Sequence, residues 1–300
     1  MTRRPVRNAL AAIALWGALA TLSVRLREVP PFLLVGVALL LGSLFGLRHL
    51  SWREVRPRAL LVGVYGLFAY HFCLFVALRL APPVEANLIN YLWPLLIVVL
   101  SPVVLPRTAL EARHVLGALL GFAGATLLVT GGRLGFDAGS IAGYLLALLA
   151  AIIWSTFSLL SRRLGGFRAA SISTFCLASG ALALLCHALL EPRYAVRASD
   201  VPLLLLIGLG PMGAAFYLWD RALGEGDPRI IGTLAYLTPL LSTLLLTIFG
   251  GGRLGVLSMV AMALIVGGAV LGTWRRTTSR TTSHATASRD HDSSTRLSSQ

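Results

Sequence analysis

Lysine does not occur in this 300-residue chain; all 26 basic side chains are arginine, which excludes Schiff-base chemistry on a lysine. Charge is scarce as well. Charged residues make up 13% of the chain against 56% hydrophobic ones, and mean hydropathy is +0.79. Too little polar surface remains to clothe a water-soluble domain of this length. Enzyme signatures are missing too: there is no zinc-type histidine pair, no phosphate-binding Walker loop and no aspartate pair in facing apolar runs. The pattern therefore calls for no metal, no cofactor and no nucleotide hydrolysis. The three cysteines, Cys73, Cys176 and Cys186, sit inside apolar runs without metal or redox spacing and read as packing residues. A net charge of +14 suggests nucleic acid, but the arginines form short clusters between apolar runs, as membrane-flanking charges do.

What remains is a series of apolar runs, near 8–24, 30–47, 59–78, 84–104, 114–131, 140–161, 169–190, 201–220, 229–249 and 254–274. Each approaches the ~20 residues that cross ~30 Å of hydrocarbon. The first follows an arginine-bearing Met1–Arg7 and has the look of a cleavable leader, but nine further runs favour a retained helix. With the N-terminus in the cytoplasm, sixteen arginines fall on its side and seven on the other, so both ends are expected inside. Residues 275–300, rich in serine and threonine, are expected to be a disordered cytoplasmic tail.

The chain also repeats itself. Tyr91-Leu92-Trp93-Pro94-Leu95-Leu96 returns as Tyr236-Leu237-Thr238-Pro239-Leu240-Leu241, and at the same offset Pro83 falls on Pro228, Ala77-Leu78 on Ala222-Leu223 and Gly63 on Gly208. Trp16, Ala20 and Ser23 recur in spacing as Trp154, Ser158 and Ser161. Residues 8–131 and 140–274 are thus two five-helix units. Five is odd, so the second unit enters the membrane from the opposite side. The expectation is an all-α polytopic membrane protein of ten transmembrane helices in two inverted-topology repeats, the layout of many secondary transporters with a site between the halves.

The candidate site follows from polar and aromatic residues inside those runs. Asn87, Asn90, Tyr91 and Pro94 fall on one helical face, with Trp93 beside them. A polar stripe within a membrane helix faces protein or a watery cavity, either as helix–helix glue or as a binding surface. Pro94 and Pro239 lack an amide hydrogen and are expected to free the carbonyls of Asn90 and Ala235. The halves differ where a ligand would notice: Asn87 aligns with Gly232, Asn90 with Ala235, Trp93 with Thr238 and His71 with Phe216. Tyr70 and His71 lie well inside the third run; His71 is read as a substrate contact, a proton carrier or a packing histidine. Asp220-Arg221 is read as an ion pair at the membrane edge. Glycine pairs at Gly42/Gly46, Gly117/Gly121 and Gly268/Gly272 allow close helix approach, within a monomer or a homodimer built on the fifth and tenth helices.

These residues carry a resemblance. Two five-helix halves opening with Trp16-Gly17 and Trp154-Ser155, with Phe75-Val76-Ala77-Leu78-Arg79 followed by Leu92-Trp93-Pro94-Leu95-Leu96, resemble the EamA family of the drug/metabolite transporter superfamily. Within it the chain looks most like the YddG-type aromatic amino acid and metabolite exporters, at His71, Tyr91 and Trp93 of an aromatic-lined cavity. Asp220 departs from the asparagine common at that position. The resemblance implies alternating-access export of amino acids or similar small metabolites across the inner membrane. The residues agree on class: Trp16, Trp93, Trp154, Tyr91, Tyr217 and Tyr236 offer ring faces to an ammonium group, and no buried arginine clamps a carboxylate. Multidrug or nucleotide-sugar transport, a membrane-embedded enzyme using Asp220, Glu225 and Asp227, and a channel are the alternatives.

Overall fold

The computed structural model describes residues 3–49, 56–133, 135–250 and 255–274. The expected tail at 275–300 and the arginines Arg53, Arg253, Arg275 and Arg276 used for orientation lie outside them, as do the side chains of Ala20, Arg48 and His49. Among the described residues all regular structure is helical. This is what a bilayer demands, because a helix satisfies its backbone hydrogen bonds within one segment. Ten apolar helices result: α1 Arg3–Val24, α2 Pro31–Leu47, α3 Pro57–Leu80, α4 Pro83–Val104, α5 Ala112–Thr130, α6 Ala138–Arg163, α7 Ala169–Leu190, α8 Val201–Glu225, α9 Pro228–Phe249 and α10 Val256–Thr273. All but α2 are long and apolar enough to span a bilayer.

Prolines start several of them. Pro31, Pro57, Pro83 and Pro228 sit in the first turn, where a missing amide hydrogen costs nothing. Gly131, with φ 59°, ends α5 in the left-handed conformation. Leu61, Leu189, Ile248 and Val256 are exposed on the outside, an apolar coat suited to lipid tails.

The helices pack as two exchangeable halves. α1 lies against α8 and α9, and α6 lies against α3 and α4; α2 pairs with α7, and α5 with α10. Swapping the halves maps this set of contacts onto itself, a twofold pattern compatible with inverted repeats. The irregularities repeat as well. α3 contains a π-turn at Tyr65–Ala69, and α8 contains one at Gly210–Ala214. α4 breaks between Pro83–Asn90 and Trp93–Val104, and α9 breaks between Pro228–Leu234 and Leu237–Gly250.

The glycine pairs of α5 and α10 are consumed within the chain. A Cβ at Gly117 would stand 2.7 Å from the Gly268 carbonyl, and one at Gly268 2.5 Å from the Gly117 carbonyl. Those stripes are therefore not free faces for a homodimer.

A tie that the sequence does not announce joins the halves at one membrane edge. Glu191, just beyond α7, is buried and accepts the amides of Phe32 (3.0 Å) and Leu33 (3.3 Å) at the start of α2. Its carboxylate also receives Arg79 from the end of α3 (2.7 Å) and His187 (2.9 Å). One negative charge thus satisfies two of α2's orphan first-turn donors and complements its dipole.

Candidate functional site

A cavity of about 490 Å³ lies between the halves. Its walls come from α1 (Trp16, Leu19, Ser23), α3 (Tyr70, His71, Leu74, Leu78), α4 (Pro83, Asn87, Asn90, Tyr91, Trp93), α6 (Trp154), α8 (Met212, Phe216) and α9 (Thr238, Ser242). It runs from rings deep in the bundle toward the end of α1 and the α3–α4 turn. Eight of the predicted site residues meet here: Trp16, Tyr70, His71, Asn87, Asn90, Tyr91, Trp93 and Trp154.

The floor is aromatic. The Trp16 ring lies 6.2 Å from Trp93, 5.7 Å from Trp154 and 5.1 Å from Trp219, and Trp93 lies 5.6 Å from Trp219, with the Trp93 contacts edge-to-face. Such pairs contribute ~0.5–1.5 kcal/mol each beyond area burial, so the floor is a stiff surface. Trp219 closes it from beneath, donating from Nε1 to Ser158 Oγ at 3.1 Å.

The two π-turns each offer a carbonyl to a cavity side chain. Leu67 O meets His71 Nδ1 at 2.5 Å, and Pro211 O accepts the Trp16 indole N–H at 3.1 Å. A π-turn shifts the helical phase by a residue and recurs where helices carry function. With Nδ1 donating, the neutral His71 ring keeps Nε2 as an acceptor. Tyr70 Oη accepts from Asn90 Nδ2 at 3.3 Å, which orients that amide. Asn90 Oδ1 and Thr238 Oγ1 are buried and have no hydrogen-bond partner among the described residues. Buried polar atoms without partners are rare and need an explanation.

Two expected site residues lie elsewhere. Tyr217 Oη meets Ser173 Oγ at 2.8 Å and donates to Gly42 O at 3.3 Å, tying α8 to α7 and α2. The cavity takes Phe216 instead, and the floor takes Trp219; these are one helical face, from which Tyr217 is turned by about 100° or more. Tyr236 is fully buried behind the cavity, where its ring occupies the space left by Gly121. Its hydroxyl accepts the Leu95 amide (3.1 Å) and donates to Tyr91 O (3.3 Å). The break in α9 resets the helical phase, so Thr238 and Ser242 face the cavity in its place.

One of the two prolines behaves differently from expectation as well. Pro94 is buried at the start of the second half of α4, and Pro239 holds the same place in α9. The Ala235 carbonyl is not free: it accepts the Thr238 amide at 3.0 Å in a tight turn. Asp220 is not chiefly partnered with Arg221. It is buried, accepting the Ser161 hydroxyl and the Phe167 amide (2.9 Å), and so fastens the α6–α7 connection. Asp227 caps the start of α9 through the Arg229 amide at 2.9 Å. Two of the carboxylates considered for catalysis thus hold loops in place.

The asymmetry read from the repeats is present in the cavity wall. His71 and its aligned partner Phe216 both line the cavity, as do Trp93 and Thr238. Gly232, aligned with Asn87, packs instead on Pro94 and Ile97.

Comparison with known proteins agrees with this layout. The EamA-like transporter family profile matches residues 6–130 and again residues 141–274. An aromatic amino acid exporter, YddG, from Ancylobacter novellus is 43% identical over 271 residues, covering 87% of this chain and 94% of that protein. A protein of the same name from Salmonella typhimurium is 30% identical over 258 residues, covering 79% and 85%. A solved crystal structure superposes with a TM-score of 0.85 at 41% identity, covering 90% of this chain and 95% of that one.

Proposed function

Since this chain belongs to the EamA-like transporter family, we propose that it exports aromatic and other neutral amino acids from the cytoplasm by alternating access. The observation that carries the reading is the tryptophan-floored cavity with a neutral polar wall. Its volume of about 490 Å³ suits one amino acid with some water. The substrate's ring packs on Trp16, Trp93 and Trp154. Its ammonium group is received by Asn90 Oδ1, His71 Nε2 and a tryptophan face, the last worth ~0.5–2 kcal/mol when desolvated. Hydroxyls of Tyr91, Thr238 and Ser242 serve the carboxylate. Among the described residues no arginine or carboxylate lines the cavity, so a substrate of net zero charge enters at the lowest desolvation cost. The exporters named above are consistent with this substrate class. Both termini lie in the cytoplasm, and the cavity opens outward in this state.

The test is flux of radiolabelled amino acids in liposomes holding the purified protein, with and without a pH gradient. Saturable flux of aromatic amino acids is expected, with Trp93→Ala raising half-saturation about tenfold or more and His71→Ala removing most of the flux. Flux indifferent to the gradient supports His71 as a neutral acceptor; gradient-dependent flux makes it a proton carrier. Folded protein that moves no amino acid overturns the substrate assignment.

A further inference from the structure

The repeats and the broken helices together assign a task to two tyrosines. Tyr236 spans the break of α4: its hydroxyl donates to Tyr91 O on one side and accepts the Leu95 amide on the other. Leu95 lies in the first turn of the second half of α4, where an amide has no partner within its own helix. The bridge pins α4 to α9 and α5. Tyr91 occupies the same place in the first repeat, 145 residues earlier. Its side chain instead lines the cavity. One member of a matched pair is engaged and the other is not.

The surroundings show the same inequality. Gly117 and Gly268 approach each other reciprocally, which pairs Gly121 with Gly272. Gly121 makes room for the Tyr236 ring, whereas the space at Gly272 is filled by the Thr233 side chain. Two halves of one ancestry therefore hold two different arrangements of the same parts. In a twofold protein the opposite conformation is obtained by giving each half the other's arrangement.

We propose that Tyr91 and Tyr236 are exchanging latches, one closed in each of two access states. This rests on the transport reading above. In the present state Tyr236 is latched across the break in α4. On conversion it releases, and Tyr91 swings out of the cavity to accept the Leu240 amide and donate to Tyr236 O across the break in α9. The two are positioning residues: each stabilises the helix break of the other repeat in one state only. Tyr91 leaves the cavity wall as it latches, so the exchange also removes a polar group from the site.

The experiment reads the two states by cysteine accessibility, with Cys73, Cys176 and Cys186 replaced by alanine. Leu78→Cys reports the outer cavity, which it lines. Leu223→Cys reports its repeat counterpart, which is fully buried beneath the tryptophan floor. In purified protein a maleimide should modify Leu78→Cys quickly and Leu223→Cys slowly. Tyr236→Phe removes two hydrogen bonds from the present state, and modification of Leu223→Cys should rise about tenfold while that of Leu78→Cys falls. Tyr91→Phe should depress modification of Leu223→Cys further, and the double variant should return both rates toward the parent. General loosening would instead raise Leu223→Cys in both single variants and most in the double, which overturns the proposal. So does a Tyr236→Phe rate within twofold of the parent. No substrate is needed, so failure of the latch is distinguishable from failure of the amino acid assignment.

Discussion

Replacing Glu191 with glutamine tests how much one buried carboxylate holds the halves together. The carboxylate is fully buried and has four donors: the Phe32 and Leu33 amides, Arg79 and His187. Glutamine keeps one acceptor oxygen, sets an NH₂ group against donors, and removes the charge that faces the start of α2. A hydrogen bond to a charged group contributes about 1.5–3 kcal/mol. The Arg79 side chain is 41% exposed, which screens its share. The expected cost is about 2–3 kcal/mol, because one backbone amide is left without its charged acceptor and the remaining bonds weaken. That corresponds to a Tm lower by about 3–5 °C in detergent for a chain of this length, followed by tryptophan fluorescence. Glu28 supplies the control, since its ion pair with Arg197 has side-chain exposures of 56% and 62%. Glu28→Gln should move Tm by less than about 2 °C. If Glu191→Gln melts with the parent, or no lower than Glu28→Gln, the carboxylate does not hold the halves together.

Neighbouring glycines on α10 should part company. Gly268→Leu forces a side chain into the Gly117 backbone and should lower Tm by several degrees, whereas Gly267, with open space at its Cβ position, should accept leucine with little change. Equal melting of the two variants would refute the α5–α10 packing. Burial would raise the Asp227 carboxyl, but its bonds from the Arg229 side chain and amide outweigh that and hold it below the usual carboxylate range. A lowered folded value means stability present at neutral pH and lost as pH falls below the ordinary range near 4. Asp227→Asn should therefore show a smaller Tm drop between about pH 5 and about pH 2.5 than the parent.

The membrane-spanning plan was legible because the cause is local. An apolar run of sufficient length has one stable form in a bilayer, and ten such runs became ten helices at nearly the expected places. The α4 stripe was legible for the same reason, since Asn87, Asn90 and Tyr91 share a face whatever surrounds them. Trp16 and Trp154 were found through the repeat.

Phase and partnership were not legible. A π-turn in α3 or α8 shifts the phase of everything beyond it by a residue; Pro211 signals an irregularity in α8, but nothing in Tyr65–Ala69 announces one in α3. Tyr217 and Tyr236 were expected at the cavity as ring faces for an ammonium group, Tyr236 also through the repeat of Tyr91, yet packing turned one toward Ser173 and the other toward Leu95. Nothing along the sequence singles out Glu191, because its four donors come from three separate segments.

The sequence alone determined the all-helical membrane-spanning plan, its internal repetition and the aromatic character of the cavity lining, because hydrophobic length and internal repetition act along the chain. Only the tertiary structure decided which side chains enter the cavity, which tyrosine is latched and which carboxylate joins the halves. Those outcomes depend on helix phase and on contacts between residues more than a hundred positions apart, which packing sets and periodicity does not encode.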